Sequence, residues 1–124
     1  MKFITKNAFL ACLFSFALFP ACAQSVKVGV FEVDATPPIG SPVAYAPTRS
    51  IKDPLTAKGI VVLSHEKPVV LCAVDWIGIS NEGQDQWKNA LAKAAGTTPD
   101  RVSVHALHQH DGARCDFSTE KIFA

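Results

Sequence analysis

The chain has 124 residues, 48% of them hydrophobic, with 12 basic and 11 acidic residues and a formal net charge of +1. This length suits one small domain. A near-neutral chain lacks the basic excess of a nucleic-acid-binding domain, so we expect no nucleic-acid partner. The sequence contains no glycine-rich phosphate loop, nucleophile elbow or paired-cysteine zinc motif, which argues against the enzyme classes that depend on them.

Residues 1–23 have the pattern of a cleavable export signal. Two lysines precede an apolar run that is too short to cross a bilayer, and Pro20 ends this run before the small residues Ala21 and Ala23. We predict cleavage after Ala23, which makes the mature chain, 24–124, a secreted or periplasmic protein. Loss of the two lysines leaves ten basic and eleven acidic residues, a formal charge of −1.

An alternative is a lipoprotein signal, in which acylated Cys22 becomes the first mature residue and anchors the protein to a membrane. Phe19 and Pro20 stand where small or aliphatic residues are expected, so we favour the cleavable signal. Outside the signal, Cys72 and Cys115 remain, which permits one disulfide in an oxidising compartment. Because Cys72 lies inside an apolar run, we favour a role for it as a small core residue.

The mature chain begins with a predicted strand and a long loop. Apolar and other residues alternate from Val26 to Val33, which predicts a strand. Residues 35–55 contain five prolines and Gly40, which exclude a regular helix or an interior strand. A loop of this length in a compact domain is usually functional or disordered, and its apolar residues favour a packed loop.

A β-hairpin is predicted next. Lys58–Ser64 and Pro68–Asp75 are β-branched runs separated by three residues, the pattern of two strands joined by a short turn. The second run is apolar without alternation, which is typical of a strand covered on both faces.

A helix and a further strand complete a predicted strand–helix–strand unit. Asn81, with Gln84 reaching back, is the expected helix cap, and Gly96 is the expected end. The predicted buried stripe consists of Trp87, Ala90, Leu91 and Ala94. Arg101–Leu107 is then a strand, expected to lie parallel to Pro68–Asp75 after a right-handed crossover.

These elements predict an α/β fold in which a mixed sheet contains a β-hairpin and a βαβ unit. The chain continues into one further helical turn, predicted at 118–122, which is too short to stand alone. We therefore expect residues 24–124 to be the incomplete N-terminal part of a larger domain.

The strongest candidate site follows the last predicted strand. The segment 104–112 holds three of the four histidines. Side chains alternate along a strand, so we expect His108 and His110 to share a face and His105 to point away. Two imidazoles at this spacing suit a metal ion or a substrate, and the alternative is that backbone hydrogen bonds satisfy them.

Other polar residues near this segment are candidates for supporting roles. Asp75 and His108 stand at the carboxyl ends of strands predicted to be parallel, where ligands gather in α/β sheets. Asp111 could orient a ligand histidine through its second ring nitrogen. The structural alternatives are that Asp75 caps loop amides and that Asp111 belongs to an Asp-Gly turn. Tyr45 and Arg49 are weaker candidates for substrate contact, against a packed tyrosine and a solvent-facing arginine.

The order and spacing of these segments resemble the N-terminal domain of the neutral/alkaline (non-lysosomal) ceramidases and their bacterial relatives. The resemblance covers most of the mature chain. The segments that carry it are 28–30, 34–40, 45–46, 74–78 and 108–112.

The resemblance implies a role for each of two histidines. The family has a His-Thr-His-Ser-Gly-Pro type sequence after a strand, which implies that His108 binds a catalytic zinc ion and that His110 lies beside the scissile amide. The remaining zinc ligands of the family, a His, a Glu and a Tyr, are expected downstream of this chain. Gln109, Asp111 and Ala113 depart from the family sequence. These changes leave the metal position intact and leave open whether the substrate is ceramide or another amide.

The implied function is an exported zinc-dependent hydrolase of an amide bond. Its substrate would be N-acylsphingosine or another small-molecule or lipid amide, and the fragment is expected to be inactive alone. Membrane contact is expected only through the substrate or a lipid anchor at Cys22. The alternative is a non-catalytic secreted binding or structural domain with the same fold.

Overall fold

The computed structural model describes residues 25–118. The predicted export signal at 1–23, which includes Cys22, and positions 119–122 of the predicted last helical turn lie outside the described residues. The elements, in chain order, are strands β1 (Lys27–Asp34), β2 (Thr56–Leu63), β3 (Val69–Val74) and β4 (Gly78–Ile79), helix α1 (Asn81–Ala95), and strands β5 (Val102–Ala106) and β6 (Arg114–Cys115). A short 3-10 turn, Pro99–Arg101, precedes β5.

Four strands form one mixed sheet in the order β1-β2-β3-β5. Strands β1, β2 and β3 are antiparallel neighbours, and β5 lies parallel to β3. The predicted α/β class, the β2–β3 hairpin and the parallel β3–α1–β5 unit are confirmed. Strands β4 and β6 form a separate parallel pair, which no pattern predicted because two-residue strands have no periodicity.

Helix α1 covers one face of the sheet. The core beneath it contains seven buried residues, Ala57, Val70, Cys72, Val74, Ala92, Val102 and Val104. On β3, Val70 and Val74 are at most 1% exposed, whereas Leu71 between them is 43% exposed. The prediction that β3 is covered on both faces is therefore wrong for the described residues, because α1 packs against only one of them.

The helix begins and packs differently from the prediction. Ser80, in extended conformation, precedes its first residue, and the Ser80 side chain makes no capping hydrogen bond. Gln84 Nε2 donates to Val104 O at 2.8 Å instead of reaching back to the helix start. The predicted end at Gly96 is confirmed, with a φ of 66° that suits glycine.

The buried stripe of α1 is rotated from the predicted one. Gly83 and Ala92 are buried, and Trp87, Leu91 and Ala95 pack against the core. The predicted members Ala90 and Ala94 are exposed. A close approach sets this rotation, because a Cβ at position 83 would lie 2.7 Å from Cys115 Sγ.

The proline-rich loop, 35–55, is folded onto itself, but not by packing of the apolar residues on which the prediction rested, since Ile39, Tyr45 and Ile51 are 58%, 84% and 48% exposed. The Ala35 N–H donates to Leu55 O at its base, and the Gly40 N–H donates to Thr48 O further out, both at 2.9 Å. Gly40 has a φ of 91°, a conformation that side-chain-bearing residues rarely adopt. Main-chain hydrogen bonds thus give this loop a defined shape without a helix or a long strand.

Both cysteines of the predicted mature chain are buried and unpaired. Cys72 lies in the core, as predicted, and burial raises the pKa of its thiol. Burial also raises the pKa of Cys115, with a smaller contribution from Asp116. Within residues 25–118, no helix is long and apolar enough to span a membrane.

Candidate functional site

The candidate site lies where the parallel strands β3 and β5 end side by side. Past the last strand pair, the His108 N–H donates to Trp76 O at 3.0 Å, so main-chain pairing continues beyond both strands. The segments 75–77 and 107–112 therefore meet at the carboxyl edge of the sheet. This edge is where ligands gather in α/β folds. The expected proximity of Asp75 to the histidine segment is present in the structure.

Gly112 fixes how closely the two segments approach. A Cβ at this position would lie 2.5 Å from Asp75 O and 2.8 Å from Trp76 Cα. Both neighbours are main-chain atoms, which cannot move aside as a flexible side chain can. Glycine is therefore required here by packing, and the Asp-Gly pair does more than form a surface turn.

His108 is held by an unusual backbone conformation and by one ring hydrogen bond. Its φ is 62°, in the left-handed region that few non-glycine residues adopt. Its Nδ1 lies 2.9 Å from Ile77 O. A carbonyl oxygen only accepts hydrogen bonds, so Nδ1 carries the proton and the lone pair of Nε2 is free in the neutral ring. A metal-binding histidine is usually arranged in this way.

His110 lies beside His108, with ring centroids 5.2 Å apart and an interplanar angle of 76°. We predicted that the two side chains share a face because they alternate along a strand. That reason is wrong, since β5 ends at Ala106 and both histidines lie in the loop after it. The loop brings the two rings together instead. His105 is on β5 itself and is exposed.

The proline-rich loop reaches this site from the other side. Val43 forms a β-bridge with Ala113, which docks the loop next to the histidine segment. At its tip, Tyr45 Oη lies 3.1 Å from His110 Nδ1, and the two rings meet edge to face with centroids 5.5 Å apart. The structure thus places Tyr45 against the second histidine.

The Asp75 carboxylate accepts hydrogen bonds from two residues near the site, Thr56 and Gln109. Its Oδ2 accepts hydrogen bonds from the Thr56 N–H at 2.8 Å and the Thr56 hydroxyl at 2.7 Å. Its Oδ1 accepts one from Gln109 Nε2 at 3.2 Å. Asp75 therefore caps a main-chain amide, as the structural alternative predicted, although this amide belongs to the first residue of β2 and not to a loop. It also contacts the residue between the two histidines.

Asp111 is exposed and lies on a different side of the histidine loop. It lines a cavity of about 530 Å³ together with Gln109, Arg49 and Lys52. The hydrogen bond that orients His108 is made by the Ile77 carbonyl. An orienting role for Asp111 stays a prediction, and Arg49 lines this cavity rather than contacting either histidine directly.

A larger cavity of about 1190 Å³ opens beside His108. Trp76, Trp87 and Phe117 supply aromatic surface to its lining. The two indole rings meet edge to face at 5.3 Å, and Trp76 Nε1 donates to Ala35 O at 2.8 Å. This hydrogen bond ties the cavity wall to the start of the proline-rich loop.

Asp34 adds negative charge to the same cavity. Hydrogen bonds from the side chain and the backbone of Thr36 hold the pKa of this carboxyl below its ordinary value, so it is ionised at neutral pH. The Thr36 N–H lies 2.8 Å from Asp34 Oδ1. Asp34 thus caps a loop amide just after the end of β1.

The donor set fits one part of a zinc site. The free Nε2 of His108 is a typical zinc ligand, and the imidazole of His110 is adjacent. Structural and catalytic zinc sites usually have three or more protein ligands. Within residues 25–118, no three histidine, cysteine or acidic side chains are grouped so that they could hold a metal ion.

Three contributors to the site escaped the sequence-based interpretation. The Ile77 carbonyl orients His108, and no side-chain pattern reveals a main-chain acceptor. Gly112 allows the two segments to approach closely. The sequence suggested only an Asp-Gly turn at this position, because Gly112 follows Asp111. Trp76 lines the larger cavity, and its position two residues after the end of β3 was the one available signal.

Comparison with known proteins places the chain in no family. A scan against protein-family models finds no match, and a search of curated proteins finds no matching sequence. The ceramidase-like pattern is therefore a resemblance, and the geometry at the carboxyl edge of the sheet carries the functional interpretation.

Proposed function

We propose that this chain belongs to an exported zinc-dependent hydrolase that cleaves an amide bond, as the ceramidases do. In this proposal, His108 is a metal ligand and His110 lies beside the scissile amide. The observation that carries the proposal is the hydrogen bond between His108 Nδ1 and Ile77 O, 2.9 Å long, which leaves Nε2 as a free donor atom.

The role of His108 is supported by how firmly its ring is oriented. The left-handed φ of 62° and the Ile77 carbonyl together hold an exposed side chain in one arrangement. Such a backbone conformation costs on the order of 1–3 kcal/mol for a non-glycine residue and is common at functional sites. A bound zinc ion would supply activation of water and polarisation of the carbonyl under attack.

In this proposal, His110 hydrogen-bonds or protonates the reacting group. Its ring lies 5.2 Å from that of His108, centroid to centroid, so a substrate atom near the metal position is within reach of both. Proton transfer by a positioned side chain typically contributes about 10²–10⁴-fold to a rate.

The larger cavity supports an amide substrate with an apolar portion. Trp76, Trp87 and Phe117 line it, and His108 lies at its edge. Apolar pockets with a few convergent polar groups are the usual form of small-molecule sites. We therefore propose a lipid or other small-molecule amide, of which N-acylsphingosine is one candidate.

The proposal needs ligands beyond the two histidines. Zinc usually takes three or more protein ligands, and the resemblance implies that a His, a Glu and a Tyr downstream of this chain complete the site. Export through the signal at 1–23 and the absence of a nucleic-acid partner are part of the same proposal. A membrane would be contacted through the substrate or through a lipid anchor at Cys22.

Zinc content and amide hydrolysis test this proposal together. The chain is expressed with its downstream sequence, and bound zinc is measured by atomic absorption for the unaltered protein, His108→Ala and His65→Ala. His65 lies in the turn after β2, so its variant is the matched control. We expect zinc loss and at least about 100-fold loss of N-acylsphingosine hydrolysis for His108→Ala alone. Equal zinc content in both variants would contradict the role of His108.

The second candidate function is a non-catalytic secreted binding domain. The observation that favours it is the aromatic cavity lined by Trp76, Trp87 and Phe117, which has room for an apolar ligand and needs no metal ion to bind one. The downstream reading frame distinguishes the two. A missing His, Glu and Tyr set there, together with no zinc in the purified protein, would favour the binding domain.

A further inference from the structure

Tyr45 occupies a position that hydrophobic burial does not explain. Its side chain is 84% exposed, although it is a large aromatic residue. The loop that carries it is docked nearby through the bridge between Val43 and Ala113. The tyrosine hydroxyl lies 3.1 Å from His110 Nδ1. The contact with His110 is therefore the interaction that gives this exposed ring a defined place.

We propose that Tyr45 is a positioning residue for His110, a role that rests on the proposed function. The phenol of Tyr45 donates to Nδ1 of His110, which keeps the imidazole proton on Nε2. The edge-to-face contact between the two rings, with centroids 5.5 Å apart, fixes the ring orientation at the same time.

The two histidines then have opposite tautomers. His108 carries its proton on Nδ1, because the Ile77 carbonyl accepts from it, and its Nε2 lone pair is free. The 3.1 Å contact between Tyr45 Oη and His110 Nδ1 permits a hydrogen bond in either direction. In this proposal the phenol donates, so His110 accepts at Nδ1 and its Nε2 presents an N–H. One ring thus offers a lone pair to a metal ion and the other offers a hydrogen-bond donor to a substrate oxygen. By setting the tautomer of His110, Tyr45 gives the two adjacent imidazoles different roles.

The tautomer of His110 is measured directly by ¹⁵N NMR of the imidazole nitrogens. The metal-free protein, expressed with its downstream sequence, is studied at about pH 8.5, where an ordinary imidazole is neutral. The signals of His110 are identified by their loss in His110→Gln. We expect Nε2 to be protonated in the unaltered protein. We expect Tyr45→Phe, which keeps the ring and removes the hydroxyl, to give a mixture of both tautomers.

Arg49→Gln is the matched control, since it alters the same loop without touching the histidine contact. Its His110 signals should equal those of the unaltered protein. A His110 protonated on Nδ1 in the unaltered protein would overturn the proposal. So would a Tyr45→Phe variant whose His110 tautomer is unchanged.

Kinetics separate this proposal from the proposed function. With an amide substrate, Tyr45→Phe should lower kcat about tenfold with KM changed less than about twofold and zinc content unchanged, because losing a positioning contact costs less than losing the His110 hydrogen-bond donor itself. An inactive, zinc-free parent protein with the expected tautomers would refute the hydrolase and leave the positioning contact intact. An active zinc protein whose Tyr45→Phe variant keeps full kcat would refute the positioning role alone.

Discussion

The face of the sheet under helix α1 and the carboxyl edge of strands β3 and β5 are built on different principles. The covered face consists of small and β-branched side chains that exclude water, and Val70, Cys72 and Val74 on β3 are at most 1% exposed. At the edge, exposed side chains are held by main-chain atoms and hydrogen bonds, as His108 is by Ile77 O. Burial stabilises the fold, and main-chain placement orders the candidate site.

Gly112 is an exception to this contrast between the covered face and the carboxyl edge. It lies at the edge, yet its substitution should lower the free energy of unfolding as much as a core substitution does. Gly112→Ala would place a Cβ 2.5 Å from Asp75 O, so the two segments must separate. We expect a loss of about 3 kcal/mol in the free energy of unfolding, at the upper end for overpacking. Urea denaturation followed by circular dichroism measures it.

Gly78→Ala is the control for that substitution. A Cβ at Gly78 would meet no atom within 4 Å, so its stability should stay within about 0.5 kcal/mol of the unaltered protein. Equal losses for the two variants would show that glycine is not required at Gly112 by close approach.

Val74→Ala tests the covered face with the next largest effect. Val74 is fully buried, and we expect a loss of about 2 kcal/mol from the lost transfer free energy and the cavity that remains. Val30→Ala, at a position that is 82% exposed, should change stability by less than about 0.5 kcal/mol. If both variants unfold at the same urea concentration, the assignment of the core to the α1 face is wrong.

The smallest effect concerns an ion pair far from the edge. The hydrogen bond and charge of Arg101, with a smaller contribution from His65, lower the pKa of Glu66. A lowered carboxyl pKa contributes stability that is present above the ordinary pKa and is lost as the pH falls through the lowered value. Glu66→Gln should therefore be less stable than the unaltered protein at pH 7, by a small amount because the pair is exposed.

The same variant, Glu66→Gln, also tests whether the pKa of Glu66 is lowered and not raised. Below its lowered pKa, Glu66 is protonated and the ion pair is lost, so the stability difference between Glu66→Gln and the unaltered protein should be smaller there than at pH 7. Thermal unfolding at both pH values measures this difference. A difference that grows on acidification would contradict the lowered pKa.

The sheet was predictable because its information is local and repetitive. The β-branched runs of β2 and β3 and the apolar spacing of α1 predicted the hairpin and the parallel unit, and the structure confirms both. The end of α1 at Gly96 followed from glycine's freedom at positive φ. Which face of α1 is buried did not follow, because it depends on the distant contact between Gly83 and Cys115.

The candidate site was predictable only as a set of residues. The spacing of His108 and His110 indicated a pair, and the parallel strands indicated that Asp75 lies nearby. The geometry depends on contacts between segments far apart in sequence, such as Tyr45 with His110 and His108 with Ile77. No periodicity encodes such contacts, and a main-chain acceptor leaves no trace in the residue types.

The central claim is that Nε2 of His108 is a metal ligand at the carboxyl edge. It is tested most directly by ¹⁵N NMR of the imidazole nitrogens during zinc titration of the protein expressed with its downstream sequence. We predict that zinc shifts the Nε2 signal of His108 while Nδ1 stays protonated by its hydrogen bond to Ile77 O. Zinc that binds without shifting this signal, or that displaces the Nδ1 proton, would contradict the account.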